Sequence, residues 1–238
     1  MSEKKKGVVI TGAAGDLGRA LCSSFAADGF HVFAADLTLA PEAAGVQALR
    51  VDVTDYKAMQ ELAERAGRET QLQVWINAAG LFVAGPVAAA TEADWARIIA
   101  VNLTGTFHGC AVAMPVLAAA GGGRIVNVGS ISGQLGGAGV HPAYGASKAG
   151  VHALTRTYAV EGARYGVLCN AVAPGLLEAG MVREFKQAQL DKLAQTIPLR
   201  RLGAMDDVTR VIRFLSSPDS SYMTGAIVPV NGGAHMPS

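Results

Sequence analysis

VVITGAAGDLG, Val8 to Gly18, is a β-branched run that turns on three glycines into a stretch with helical apolar spacing through Leu21 and Phe25. A strand entering a helix over such a turn presents the unpaired N–H groups of the helix's first turn, and a pyrophosphate suits that geometry. Gly12, Gly15 and Gly18, with the Asp16 and Leu17 backbone between them, are therefore candidate phosphate-binding residues. A second run, HVFAAD, ends at Asp36, 18 residues beyond Gly18. A carboxylate there accepts hydrogen bonds from ribose hydroxyls and repels a 2′-phosphate. Arg19 is the only cation nearby in sequence, so NAD is expected in preference to NADP. Asp36 as a plain turn former is the competing reading.

Outward from that turn, short apolar runs alternate with helix-length segments: GVVIT, HVFAAD, ALRVDV, QVWINAAG, RIVNVGS, VLCNAVAP and AIVPVN. Seven strands spaced by helices imply βαβ units. The expected fold is α/β of the Rossmann type, a doubly wound, seven-stranded parallel sheet with helices on both faces. Several runs lack polar alternation, as strands covered on both faces do. Pro229 cannot donate to a ladder, which predicts an edge position for the last strand. The Pro- and Gly-containing spots fall between elements, so residues 1–238 are expected to form one domain. Residues 176–201 have helical character but interrupt the alternation just after a strand's C-terminal end, where ligands of open α/β sheets sit; this is a candidate lid.

Half of the 238 residues are apolar and the formal net charge is +1, which gives no electrostatic case for nucleic acid or an anionic membrane as partner. Cys22, Cys110 and Cys169 each lie in an apolar segment, and buried reduced thiols fit a cytoplasmic protein. The opening MSEKKKGVVI lacks the small-residue cleavage site of a secretory signal. Ile98 to Gly123 carries no Asp, Glu, Lys or Arg and is long enough to span a bilayer. Its Asn102, His108, Pro115 and Gly121 to Gly123 favour instead a helix buried within the fold and against a second subunit. No Cys/His spacing suggests a metal site, and Trp75 and Trp95 read as packing residues.

In HPAYGASKAG, Tyr144 and Lys148 are four residues apart and share a face if the segment is helical. A free phenol, with a pKa of about 10, is a poor base at neutral pH. A nearby ammonium and an oxidised nicotinamide ring both favour the phenolate. Ser130 ends the strand RIVNVGS, where its hydroxyl can orient a substrate oxygen from the side opposite the tyrosine. His141, three residues before Tyr144, is either a substrate contact or an ordinary hydrogen-bonded loop histidine.

TGAAGDLG, NAAG (Asn77 to Gly80), Asn102 in VNLTG, Ser130, Tyr144-x-x-x-Lys148, Pro174-Gly175 and YMTGAIVPVNGG (Tyr222 to Gly233) together resemble the short-chain dehydrogenase/reductase family, in its small single-domain subtype. The resemblance spans nearly the whole chain. It implies that Tyr144 is the general acid/base and that Lys148 binds the nicotinamide ribose while lowering the tyrosine's pKa. Ser130 would position the substrate oxygen, and Asn102 would hold a water in a relay to Lys148. Gly12, Gly15 and Gly18 would line the pyrophosphate, Asp36 the ribose, and Asp52 and Val53 the adenine edge. Asn77, Ala78, Ala79 and Gly80 would form the cofactor floor, with Pro174, Gly175 and Leu177 beside the nicotinamide. The implied activity is NAD(H)-dependent interconversion of a small secondary alcohol and its ketone, in a homotetramer.

Three departures qualify the resemblance. Asp16 stands where the subtype has glycine, giving a spacing typical of longer, epimerase-like relatives. The loop from Ser130 to Tyr144 is one residue longer than the family's spacing, which makes Ser132 a rival for the serine role. Ala179 replaces a threonine that contacts the carboxamide, leaving backbone groups near Leu177 to substitute. A 3-oxoacyl-thioester reductase acting on carrier-protein or CoA substrates is the alternative activity, with Arg183, Lys186, Arg200 and Arg201 as a basic rim. Epimerase chemistry lacks room for its substrate domain, and a non-catalytic dinucleotide sensor is the remote alternative.

Overall fold

The computed structural model describes residues 4–40, 43–137, 139–178 and 187–237. The seven expected strands form one sheet: β1 (Lys6–Thr11), β2 (His31–Asp36), β3 (Val46–Arg50), β4 (Gln71–Asn77), β5 (Gly123–Val128), β6 (Val167–Pro174) and β7 (Ile227–Val230). All pair in parallel, in the order β3-β2-β1-β4-β5-β6-β7. Pro229 lies on β7, an edge, where its missing N–H costs no ladder bond. β3 begins and ends earlier than the run ALRVDV suggests. Val51 N–H still donates to Asp36 O at 2.9 Å, but Asp52 then folds into a turn in which its carboxylate accepts from Thr54 N at 2.9 Å and Thr54 Oγ1 at 2.8 Å.

The chain builds outward from β1 to β3 and then returns to β4 on the other side of β1. The loops after β1 and β4 therefore part company and leave a crevice at the sheet's C-terminal edge. Side-chain alternation sends Val9, Trp75, Ile125 and Cys169 to one face, beneath α2 (Tyr56–Glu69), α4 (Gly105–Ala119) and α6 (Pro142–Ala163), the last preceded by the one-turn α5 (Ser132–Leu135). Val8, Ile10, Val74, Ile76 and Val126 go to the other, beneath α1 (Asp16–Ala27) and α8 (Met205–Leu215). Helix starts carry side-chain caps: Asp55 accepts from Lys57 N and Ala58 N, and Thr91 accepts from Asp94 N at the start of α3 (Glu92–Ile99).

α3 and α4 join through a π-helical turn, Ala100–Thr104, making a helix long and apolar enough to cross a membrane by length and composition. It is a core helix: half of its most apolar window is buried, and α4 packs on β4, β5, α2 and α6. Trp75 is fully buried, but Trp95 is 45% exposed, because α3 packs on α6 and on the turn that follows it and buries only Ile98 completely. Cys22, Cys110 and Cys169 are buried free thiols. The segment expected as a lid contains α7 (Gln187–Thr196); Ala179, Arg183 and Lys186 lie outside the described residues.

A polar knot crosses the core on the α4 side. Trp75 Nε1 donates to Asn77 Oδ1 at 2.8 Å, Asn77 Nδ2 to Asn127 Oδ1 at 2.8 Å, and Asn127 Nδ2 to Thr155 Oγ1 at 3.0 Å, tying β4 to β5 and α6. Gly109 of α4 lies against it, and a Cβ there would stand 1.9 Å from Asn77 Oδ1. Gly109→Ala is expected to destabilise the fold by about 3 kcal/mol, since it must displace paired buried groups. A urea unfolding midpoint equal to wild type would mean the knot can shift at no cost.

Candidate functional site

The crevice at the β1/β4 divergence is a cleft of about 580 Å³, lined among others by Gly12, Gly15, Asp36, Asp52, Val53, Ala78, Ala79 and Gly80. The cofactor residues expected from four separate segments thus meet at one opening. Gly12 has φ +71°, and a Cβ on it would stand 2.6 Å from the Ala79 backbone. Gly18 is a packing glycine, since its Cβ would stand 2.1 Å from Gly12 O. Gly15 faces open space, meeting only Gly12 O at 3.4 Å. Asn77 differs from its neighbours, because its side chain turns into the core knot and braces the floor from behind.

Asp36 Oδ2 accepts from Ala14 N at 3.0 Å and Oδ1 from Thr38 N at 3.1 Å, so one carboxylate both forms a turn and pins the glycine loop. Asp16, the departure from the family pattern, forms a 2.6 Å ion pair with Arg19, whose other guanidinium nitrogen donates to Ala14 O. Arg19 is not the only cation near Asp36. Register pairing sets Arg50 of β3 opposite Asp36, and partners in a parallel pair point to the same face. That neighbour was hidden in the sequence because β3 lies a whole loop away.

Tyr144 and Lys148 sit on the first turns of α6, both buried. Burial raises the Tyr144 phenol above its ordinary value, and the neighbouring Ser130 hydroxyl opposes the rise. Ser130, and not Ser132, is the hydroxyl whose influence reaches the phenol. Lys148 Nζ lies 5.8 Å from the Tyr144 ring centroid and donates to Val128 O at 2.7 Å. Burial pushes the lysine ammonium down to about 8.

Asn102, wholly buried in the π turn, accepts from Leu81 N at 2.7 Å and donates through Nδ2 to Leu81 O at 2.9 Å and Ser147 Oγ at 3.2 Å. A Cβ on Gly80 would stand 3.6 Å from both Asn102 Oδ1 and Lys148 Nζ, so the missing methyl opens a polar gap between them. π turns concentrate at functional positions, and this one aims Asn102 at that gap. Ser147, which also donates to Tyr144 O at 2.7 Å, was missed; its spacing of three from Tyr144 was the available signal. Phe82, whose ring edge meets the Tyr144 ring at 5.1 Å, and Arg97, in the cleft wall, had no such signal.

His141 caps α6, its ring Nδ1 accepting from Ala143 N at 3.2 Å, while its backbone N–H donates to Val83 O at 3.0 Å. Its Nε2 is buried and has no hydrogen-bond partner among the described residues. Ile131 N donates to Pro174 O at 3.1 Å and Gly175 N to Val230 O at 3.1 Å, drawing the loops after β5, β6 and β7 together. Leu177 bridges Gly203 through bonds made by Leu176 O and Glu178 N. In a parallel bridge of this kind Leu177's own N–H and C=O point the opposite way.

Residues 12–235 match the family model described as enoyl-(acyl carrier protein) reductase. The chain is 37% identical to a (3R)-3-hydroxyacyl-CoA dehydrogenase of Mus musculus, with 96% of this chain and 95% of that protein covered. It is 35% identical to an acetoacetyl-CoA reductase of Cupriavidus necator, covering 95% and 97%. Among solved structures, the ligand-free aldohexose dehydrogenase of Thermoplasma acidophilum matches with a TM-score of 0.90 at 26% identity, over 99% and 98% of the two chains. Likeness of that extent, on a sheet of this order, makes the chain a member of the short-chain dehydrogenase/reductase family, an oxidoreductase of CH–OH groups served by a nicotinamide dinucleotide.

Proposed function

We propose that the chain is an NAD(H)-linked oxidoreductase that interconverts a 3-hydroxyacyl thioester and the corresponding 3-oxoacyl thioester. The observation that carries this reading is the full-length likeness to relatives named for that chemistry, joined to a buried Ser130, Tyr144 and Lys148 beside the dinucleotide cleft. It replaces the free secondary alcohol expected from the sequence. Arg201 gives the thioester's acidic arm little support, since Asp207 already holds its guanidinium at 2.6 and 3.2 Å.

The cleft suits the cofactor: its floor at Ala78 to Gly80 is bare of large side chains, and Gly12 and Gly15 leave room for a pyrophosphate. Gly12, Gly15, Asp16, Leu17 and Gly18 would hold that group through the turn and the α1 N-terminus. Asp36 would take the ribose, Asp52 and Val53 the adenine edge, and Pro174, Gly175 and the outward backbone of Leu177 the nicotinamide. The bound dinucleotide supplies or accepts a hydride at the substrate carbon. Tyr144 gives its phenolic proton to the carbonyl oxygen as charge develops there, and takes it back in the reverse direction. Ser130 fixes that oxygen. Lys148 offsets the cost of the phenolate, and Asn102 holds a water in the gap over Gly80 for proton exchange.

Asp36 favours NAD(H) over NADP(H), and Arg50 opposite it narrows the margin. The free buried thiols fit a cytoplasmic setting. The half-exposed apolar α4 fits a homotetramer, and residues 176–201 fit a substrate lid over a single domain. A second reading, a sugar or other small alcohol as substrate, is favoured by the aldohexose dehydrogenase match. Specificity constants for acetoacetyl-CoA with NADH and NADPH, beside aldohexoses and secondary alcohols with NAD, separate the two. The expected best pair is acetoacetyl-CoA with NADH; a higher value for a free alcohol would overturn the thioester assignment.

A further inference from the structure

We propose that Asp16 is a specificity-determining residue for the cofactor: by holding Arg19 in an ion pair it withholds that guanidinium from the adenosine ribose. The inference deepens the NAD(H) reading above and concerns the same cleft. Three bonds form the chain of contact. Arg19 Nη2 pairs with Asp16 Oδ1 at 2.6 Å, Arg19 Nη1 donates to Ala14 O, and Ala14 N donates to Asp36 Oδ2 at 3.0 Å. A single residue, Ala14, thus separates Arg19 from the carboxylate proposed to hold the ribose. Backbone dimensions put the guanidinium within about 9 Å of Asp36 Oδ2. That is close to the Debye length of about 8 Å at physiological salt, so the Arg19 charge is felt there.

A guanidinium fork is the side chain best matched to a phosphate dianion. Here one arm is taken by a carboxylate and the other by a carbonyl. The Arg19 side chain is 48% exposed, and these two hydrogen bonds are the ones it makes among the described residues. Glycine at position 16 would leave Arg19 free to turn toward a 2′-phosphate; aspartate adds a negative charge and closes the fork. Arg50 stands on the other flank of Asp36, exposed on β3. It offers the same charge whatever residue occupies position 16, so it cannot produce a change that depends on Asp16.

A purely structural role is the competing account, because an acid in the first turn of α1 also favours the helix macrodipole. Such a role would alter unfolding but not the ratio of NADPH to NADH affinity. The test is calorimetric titration of both reduced dinucleotides into wild type, Asp16→Asn and Asp16→Asn/Arg19→Gln at one salt concentration. The ratio of the NADPH to the NADH dissociation constant is expected to fall about tenfold in Asp16→Asn and to return to the wild-type value in the double variant. An unchanged ratio in the first, or a gain that survives loss of Arg19, overturns the proposal. Should Asp16→Asn not fold, Arg19→Gln alone decides. The lock predicts an unmoved ratio, and selective weakening of NADPH would show that Arg19 already serves the phosphate. A wild-type preference for NADPH would sink the Asp36 reading, whereas the Asp16 inference depends only on how the ratio shifts.

Discussion

Replacing Tyr144 with Phe is expected to lower turnover about 1,000-fold and leave dinucleotide binding near the wild-type value. The variant keeps the ring that meets Phe82 and removes only the buried hydroxyl, the group proposed to exchange a proton with the substrate oxygen. The fold should not suffer, because the lost hydroxyl leaves Ser130 still bonded to Ser132 N at 3.1 Å. Turnover within tenfold of wild type would remove Tyr144 as the acid/base and send the search to His141 or a bound water.

Lys148→Met should produce a loss of similar size for a different reason, and it should change the protein's response to pH. The side chain is buried, with a hydrogen bond to Val128 O. The folded protein holds the lysine proton less tightly than the unfolded chain does, with a pKa of about 8 against the ordinary 10.5. Between those values the unfolded state binds more protons, so stability rises with pH through the window. Below pH 8 the cost of the buried ammonium is fully present. The window contributes about 3 kcal/mol in the cofactor-free protein. Tyr144 acts in the opposite sense above pH 10, where its raised phenol makes unfolding easier, so the lysine effect is read between pH 8 and 10. Urea unfolding of wild type should gain stability there relative to Lys148→Met. Parallel pH profiles for the two proteins would contradict the assignment of a strained buried ammonium.

Much of this architecture was legible before any coordinates, because its signals are local. Short runs without polar alternation, such as Val8 to Thr11 and Val167 to Pro174, declare strands buried on both faces, and Pro229 declares an edge. Tyr144 and Lys148 are legible because a helix brings residues four apart onto one face. What stayed hidden depends on contacts between distant segments. The π turn at Asn102 is held by Leu81, 21 residues earlier, and no local pattern announces it. Arg50 reaches Asp36 only through strand pairing. The end of β3 was misjudged because Asp52 bonds to Thr54 and leaves the ladder, although Val51 and Val53 have strand character. Trp95 departs from its expected packing role because α3 turns only Ile98 fully inward, and a large apolar residue elsewhere on such a helix stays partly exposed. Substrate class was the least legible property. It rests on loops after β4, β5 and β6, and the full-length relatives favour a thioester where the sequence motifs had suggested a free alcohol.

The most direct test of hydride transfer to a 3-oxoacyl thioester is isotopic. The purified protein is incubated with acetoacetyl-CoA and NADH deuterated at the transferring position, and the 3-hydroxybutyryl-CoA formed is examined by mass spectrometry. Oxoacyl-thioester reduction predicts one deuterium at C3 of the product, from one or the other isotopic isomer of the cofactor. Absence of reduced product with both NADH and NADPH, in a protein shown to bind the dinucleotide, would contradict it.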